Sequence, residues 1–583
     1  MMKRWQIWVL ASWTFQLFGQ TIPVGAPYFE NRMRDCQLMG RVNSESSFCV
    51  RPTNYQRSLG IINFYGVGSM AMEGDTVKEY HLQRFDTILV RKGRESGNPK
   101  YKYRVIQALP FVGIMQYNGH HPFGWQDGLR IPNKGAQVYM SGGVEYYNSW
   151  LDLRFQPELL YAQNLPFENP PYRVLTIDMP DRFGLESYKK FHWGQSHAYV
   201  HLGSIDIGFG SENLQWGPCV KNSIILSNNA PGFKHGSIKT NKPIKTRWGS
   251  FEFAYVAGNL KRSGLYPYST TPDAGKPWPY IQAKDILYTA SNKRYDKLFN
   301  GYMLSFQPKL LPGLFLGATR VLLNDTVYGK AAYLRIISKS PKFLDEYGPG
   351  VKVVNDNQLL SLFARWMMPE SHAEFYIEWG RDDYFWDLQD FITQPEWTSV
   401  YTMGFQKIVH NGSKNLNQYY KVSGEITRLT SPSTAWSRGQ HGWPGFYSHS
   451  AADYTHEGQV IGTGIGPGSN MQWMQVDKVD GFNTRSLLFE RVQYKIDMFY
   501  WYMTEWRLGN PYKSDDSKLW VDCGFSYIEQ RKMGHSLIRF KVQMLKTYNY
   551  NWWYKVGAVD EGFRFSGLNP WSLNLEISLV HQF

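Results

Sequence analysis

No apolar run after the first twenty residues reaches the roughly 18 that a membrane-spanning helix needs, so helical spans are excluded. Ser/Pro-rich hinges, long charge runs, low-complexity tracts and short-period repeats are also missing. A chain of 583 residues without linkers argues for one large closed architecture over a string of soluble domains. Blocks of Lys/Arg are absent, which argues against a nucleic-acid partner in spite of a net charge of +14. The chain has only 4 cysteines, Cys36, Cys49, Cys219 and Cys523, and their spacing fits no metal site. No G-x-S-x-G nucleophile turn occurs. The expectation is a non-enzymatic protein with no cofactor and no metal.

What is present begins with an address. "MMKR" is a basic start, "WQIWVLASWTFQLF" a short apolar stretch, and "FGQ" a small-residue cleavage context, so residues 1–19 read as a secretory signal peptide. In an oxidising compartment Cys36 and Cys49 could close a short loop worth about 3 kcal/mol, although spacing alone leaves the connectivity of the four cysteines open. A basic secreted chain implies an anionic partner, for which acidic polysaccharide or lipid phosphate fits better than nucleic acid.

Aromatics make up 16% of the residues, with 22 Trp and 39 Tyr, yet mean hydropathy is −0.44. Past residue 135 the dominant period is 2, that of a strand with two unlike faces. In "LDLRFQPELLYAQ", Leu151, Leu153, Phe155, Leu159 and Tyr161 share one face, and Asp152, Arg154, Gln156 and Glu158 the other. "AEFYIEWG" sets Phe375, Ile377 and Trp379 against Glu374, Tyr376 and Glu378, and "SLIRFKVQM" sets Phe540, Val542 and Met544 against Arg539, Lys541 and Gln543. "QYKIDMFYWY" continues the pattern through Tyr494, Ile496, Met498, Tyr500 and Tyr502. Charges recur on the polar face, and Trp and Tyr edge the apolar one, as in membrane-interface girdles. The pattern predicts an all-β protein: a large antiparallel transmembrane β-barrel with lipid outside and water inside. The last strand, from Trp571 to the terminal Phe583, should pair with the first and close it. Residues 20–110 read differently, with Val77, Tyr80, Leu82 and Phe85 at helical spacings, and predict a small N-terminal plug or helical subdomain on the periplasmic side. The barrel is expected over 111–583.

Three stretches go beyond alternation: "PFVGIMQYNGHHPFGWQDGLRIPNKGAQVYMSGGVEYY", "SENLQWGPCVKNSIILSNNAPGF" and "HEGQVIGTGIGPGSNMQW". With the signal and the terminal strand, the "WGP…SNNAPGF" and "YNGHHPFGWQDG…IPNKG" segments resemble the Wzi family of outer-membrane capsule-assembly proteins. The resemblance implies a barrel of about 18 strands with a helical plug. It also implies a lectin-like role at the bacterial outer membrane, where the protein would bind acidic capsular polysaccharide and help assemble or anchor it. Outer-membrane lipid and the assembly machinery would be the other partners, with the protein acting as a monomer. A porin or sugar-conducting channel with the same barrel is the alternative.

Candidate polysaccharide contacts fall in two places. Trp216, Asn228 and Asn229 offer stacking and amide groups suited to sugar rings and hydroxyls, while the Gly, Pro and Asn around them equally suit a turn folded into the lumen. Between Arg428 and Gly458, Trp436, Trp443, Tyr447 and Tyr454 could stack on sugar faces, with Arg438 and His449 for carboxylates; a loop packed on itself is the alternative. The carboxylates Glu378, Asp382, Asp383, Asp387 and Asp390 read more simply as a solvated strand end than as a glycosidase pair.

Overall fold

The computed structural model describes residues 23–53 (except 26 and 42–44), 104–265 (except 149 and 168–176), 296–325, 357–382, 392–393, 395–396, 398–410, 417–432, 446–447, 453–497, 519–550, 554–556, 565–567 and 569–582. Eighteen antiparallel strands close into one barrel. In chain order they are β1 (Arg104–Phe123), β2 (Asn133–Asn148), β3 (Leu151–Phe155 continued by Glu158–Ala162), β4 (Tyr188–His192 continued by His197–Leu202), β5 (Ile205–Gly210) and β6 (His235–Thr240 continued by Ile244–Lys245). Then come β7 (Gly249–Leu260), β8 (Lys297–Pro308), β9 (Leu314–Asp325), β10 (Asn357–Met368), β11 (Ala373–Asp382) and β12 (Ser399–His410). The last six are β13 (Gln418–Arg428), β14 (Asn470–Asp480), β15 (Asn483–Gln493), β16 (Val521–Met533), β17 (Ser536–Tyr548) and β18 (Trp571–His581).

The alternation in the sequence is the alternation of the wall. Leu153, Phe155, Leu159, Tyr161, Phe375 and Ile377 are exposed on the outside, while Asp152, Arg154, Glu158, Glu374 and Glu378 are buried inside. A soluble protein would reverse this; an outward apolar face with inward charges is the arrangement that lipid requires. β3 breaks at Pro157, which has no N–H for the ladder, and a single bridge from Gln156 to Gly194 spans the gap. The terminal strand does close the barrel: Met115 pairs with Ile577 and Asn118 with Asn574 across β1 and β18. Phe583 lies outside the described residues.

Short connections such as 203–204, 481–482 and 534–535 cluster at one end with the start of β1 and the end of β18. All the long ones, 211–234 and 429–469 among them, leave from the other. By the usual asymmetry of such barrels the short-turn end is periplasmic and the long-loop end extracellular.

Helix α1 (Pro27–Leu38) lies inside the short-turn end. Pro27 opens it, where a missing N–H costs nothing, and Gly40, at φ +68°, receives the chain after its last turn. Leu38 packs on Phe315, Met367, Ile408 and Tyr419 of the wall. Polar anchors are denser: Arg32 donates to Tyr419 and Asn417, Asp35 pairs with Lys421, and Arg34 pairs with Glu374 at 2.6 Å. Glu374 also binds Arg365 at 2.6 Å, so one buried carboxylate serves two guanidiniums. The helical spacing read around Val77–Phe85 lies outside the described residues.

Two sequence expectations are corrected. Within "QYKIDMFYWY" the strand stops early: β15 ends at Gln493, Lys495 takes φ +48°, and Asp497 turns to accept the N–H of Ser431 at 2.9 Å, while 498–502 lie outside the described residues. Apolar residues there alternate, but the polar ones between them are recruited by the neighbouring loop. The Cys36–Cys49 bridge does not form, since all four thiols are free. Cys36 sits among Arg32, Asp35 and Arg41, whereas Cys49 sits beside Arg365 and Glu252, with its Sγ donating to Ser47 O at 3.3 Å.

Candidate functional site

The lumen is occupied by the chain's own loops. One buried cluster joins Leu214, Trp216, Ile224–Leu226 and Phe233 to Tyr447, Tyr454, Val460 and Ile465 and to wall residues such as Val321, Leu359 and Val492. The connection between β5 and β6 therefore folds inward, as its turn-forming residues allow.

Lumen carboxylates grip this insert by its backbone. Glu425 of β13 accepts three successive N–H groups, from Val220 (2.5 Å), Lys221 (3.2 Å) and Asn222 (3.1 Å), together with the Tyr376 hydroxyl (2.8 Å) and Trp473 Nε1 (3.1 Å). Glu378 accepts Ile224 N at 3.1 Å and the Cys219 thiol at 3.4 Å. From the opposite side Arg34 donates to Pro218 O, and Arg51 to Gly217 O and Cys219 O. The "WGPCVKN" turn is thus a clamp for strand carboxylates, and Glu378 is neither a solvated strand end nor half of an acid pair. Asp382 ends β11, while Asp383, Asp387 and Asp390 lie outside the described residues.

Most of the sequence-nominated aromatics that can be placed are part of this packing. Trp216 is buried, with its ring against Gly301, where an added Cβ would come within 2.8 Å. Tyr447 and Tyr454 are fully buried, not displayed on a loop; they stack at 5.4 Å and 12°, and their hydroxyls donate to Ile224 O and Ile225 O. A hydroxyl at the end of each ring lets a large apolar side chain also satisfy a buried carbonyl. Asn229 is buried, donating to Val460 O and accepting from Gln126 N. Trp436, Arg438, Trp443 and His449 lie outside the described residues.

Asn228 alone of the described candidates borders open space. It is part of the lining of a cavity of about 330 Å³ between α1, the loop 124–130, the insert and the wall of β1, β14–β18. Cavities of roughly 300–1,000 Å³ are of ligand size. Eleven lining side chains are carboxamides, including Gln116, Gln126, Gln475 and Asn574, and Trp125, whose ring lies 4.6 Å from that of Phe123, also borders the cavity. Six lining residues are basic and five acidic, and most of these pair: Arg130 with Asp127 (2.5 Å) and Glu576 (2.9 Å), Lys221 with Glu490 (3.1 Å). Burial drives the Asp127 carboxyl above the usual carboxylate range, and Arg130 opposes that shift. The lining also holds buried polar atoms without a protein partner: Gln126 Nε2, Asn118 Oδ1 and Gln156 Oε1. Such an array of unused amide donors and acceptors beside an indole suits vicinal hydroxyls and the C–H face of a sugar. Of this lining the sequence nominated Asn228 alone, because the residues come from eleven separate stretches of chain; the one local sign was "GWQDGLR", where turn residues flank Trp125.

The buried trio Glu145, Asp152 and His197 is close enough for a metal ion, but Arg154 already holds the Glu145 carboxylate at 2.7 Å, and no ion is needed to balance it. His456, buried nearby in the chain's inward loops, accepts the N–H of Lys261 at 2.9 Å.

Among curated proteins none matches the chain. The barrel resembles the solved Escherichia coli Wzi, described as an outer membrane protein involved in group 1 capsule assembly and a carbohydrate-binding β-barrel: 11% identity, 81% of this chain and 85% of that one, TM-score 0.47. It also resembles Pseudomonas putida OprB (9%, 82% and 94%, TM-score 0.33) and Pseudomonas aeruginosa OccK7 (8%, 82% and 98%, TM-score 0.36). The family model for the capsule assembly protein Wzi matches residues 130–321, the stretch that runs from Arg130 at the cavity through the inward insert to β9. The likeness to the Wzi capsule assembly family is carried by that segment.

Proposed function

We propose that this outer-membrane barrel binds acidic capsular polysaccharide and helps hold it at the cell surface, without acting as an enzyme or an open channel. The observation that carries the reading is the cavity of about 330 Å³ lined by eleven carboxamides and Trp125, in a barrel whose family segment supplies part of its wall. The filling of the lumen by the insert and by α1 favours binding over conduction. Trp436, Arg438, Trp443 and His449, in the connection between β13 and β14, are proposed as further sugar contacts, with Asn228 at the cavity.

The test is retention of purified acidic capsular polysaccharide by the detergent-solubilised protein, with heat-modifiable gel migration as the folding control. Trp125→Ala and the pair Trp436→Ala/Trp443→Ala should each weaken retention by roughly tenfold, since a well-stacked ring contributes about 0.5–1.5 kcal/mol beyond its buried area. Folded variants that retain the glycan as well as the parent would place binding elsewhere. A stable large conductance of the parent in planar bilayers would favour the porin reading.

A further inference from the structure

We propose that the outer wall of β13–β18, at its long-loop end, binds the phosphates of a bis-phosphorylated glycolipid in the facing leaflet. Strand register fixes the geometry. Gln472, Arg491, Cys523, Lys546 and Trp571 are successive partners across β14–β18, all on the outward face. One step nearer the loops, Arg428, Asn470, Gln493, Val521 and Tyr548 form the next row. One step toward the middle the row is Met474, Phe489, Phe525, Met544 and Leu573, all exposed and apolar. Basic groups therefore sit directly above acyl-chain surface, where lipid headgroups lie.

Charge complementarity selects the headgroup. Arg428, Arg491 and Lys546 make no ion pair among the described residues; Thr430 Oγ1, Gln472 Oε1 and Asn569 O hold them in place. The acids in the middle and upper parts of these strands, Glu425, Glu490 and Asp522, are buried on the inner face. Asp480 and Glu529 lie at the short-turn end, where Glu529 pairs with Arg485 and Arg531. Arg491 and Lys546 thus face outward at the long-loop end without an ion pair among the described residues, while Arg428 has the buried Asp497 carboxyl nearby. Arg491 and Lys546 are two strands apart, roughly 10 Å, a separation that suits two phosphates on one headgroup better than a single phosphate. Trp571 and Tyr548 flank Lys546, their ring centroids 5.1 and 5.6 Å from its ammonium, and supply the amphipathic rings that settle at this depth.

The experiment places purified full-length protein in vesicles of phosphatidylethanolamine doped with a bis-phosphorylated glucosamine-disaccharide lipid, or with its monophosphorylated form, and reads co-purified lipid by mass spectrometry. The parent should retain the bis-phosphorylated lipid over the monophosphorylated one. Arg491→Ala/Lys546→Ala should lower that retention by ~25-fold, at roughly fivefold per basic residue. Arg485→Ala, at the periplasmic end, should leave retention unchanged and serves with heat-modifiable migration as the control for folding. Equal retention by the double variant, equal losses in the Arg485 variant, or displacement of the lipid by inorganic phosphate alone would each overturn the proposal.

Discussion

Replacing Glu425 by Ala should unseat the lumen insert while leaving the barrel closed. The carboxylate serves five donors, the N–H groups of Val220, Lys221 and Asn222, the Tyr376 hydroxyl and the Trp473 indole. Each donor stranded away from water costs about 1–3 kcal/mol. Val220 and Lys221 border the cavity and can be partly rehydrated, and with all five donors taken at the lower end, about 1 kcal/mol each, the total is about 5 kcal/mol. Removing a desolvated carboxylate returns part of this, leaving about 3–4 kcal/mol. The pairing of β13 with β12 and β14 runs through backbone groups and is untouched. Hydrogen exchange over 217–226 should therefore accelerate by roughly 10²–10³-fold, through local opening, with heat-modifiable migration preserved. Glu425→Gln should lie between the two, because its amide turns a donor toward donors. Unchanged exchange in a folded Glu425→Ala protein would refute the view that the nest of N–H groups holds the insert, and unfolding of the whole barrel would refute the separation of insert from wall.

Tyr447→Phe should slow no folding step of the wall but should destabilise the insert by about 1–3 kcal/mol, because its hydroxyl bridges Ile224 O and Thr463 N; exchange of the Thr463 amide checks it. Burial pushes the Asp497 carboxyl up to about 7, against the hydrogen bonds from Ser431 that lower it. Its folded pKa lies above the unfolded value of about 4, so its contribution is full below that pH and is lost as pH rises through about 7. The heat-modification temperature should fall from pH 6 to pH 8, and Asp497→Asn should flatten that fall. Glycan retention that depends on the cavity amides should change less than threefold between roughly 0.05 and 0.5 M salt, whereas retention governed by exposed charges would drop steeply.

The wall was legible because each strand repeats one rule. Phe375 and Ile377 against Glu374 and Tyr376 can be read from eight residues, since lipid and water sit on opposite sides of a period-2 element. Even closure by the strand ending near Phe583 follows from the need to leave no edge in lipid. The interior follows no such rule. Glu425 looks like any lumen-facing acid until Val220–Asn222 arrive from about 200 residues away, and Tyr447 looks like a loop aromatic until Ile224 O is placed at its hydroxyl. The early end of β15 at Gln493 has the same origin: alternation gives a face to each residue but does not say whether a neighbouring strand exists to pair with it. Asn228 was nominated for its amide near Trp216, with a turn folded into the lumen as the alternative; Trp125 and Gln126 were passed over because the rest of the cavity lining is distant in sequence.

The basic balance of the chain carries less information about its glycan than its size suggests. A charge of +14 invites the inference of an acidic ligand drawn to a positive lumen. Inside, however, guanidiniums and ammonium groups are largely consumed by structure: Arg34 and Arg365 by Glu374, Lys297 and Arg262 by Asp453, Lys239 by Glu212. These pairs hold inward loops and helix in a medium too dry to leave them single. The cavity itself is close to neutral, six basic groups against five acidic. Amides and an indole read hydroxyls and ring faces regardless of charge, so on the proposed function any preference for an acidic polymer has to be exerted outside the cavity, with Arg438 as the proposed contact. Recognition of the repeating unit and attraction of the polyanion are then separate tasks, and variants at Trp125 and at Arg438 should fail in different ways: the first in affinity at every salt concentration, the second only where screening is weak.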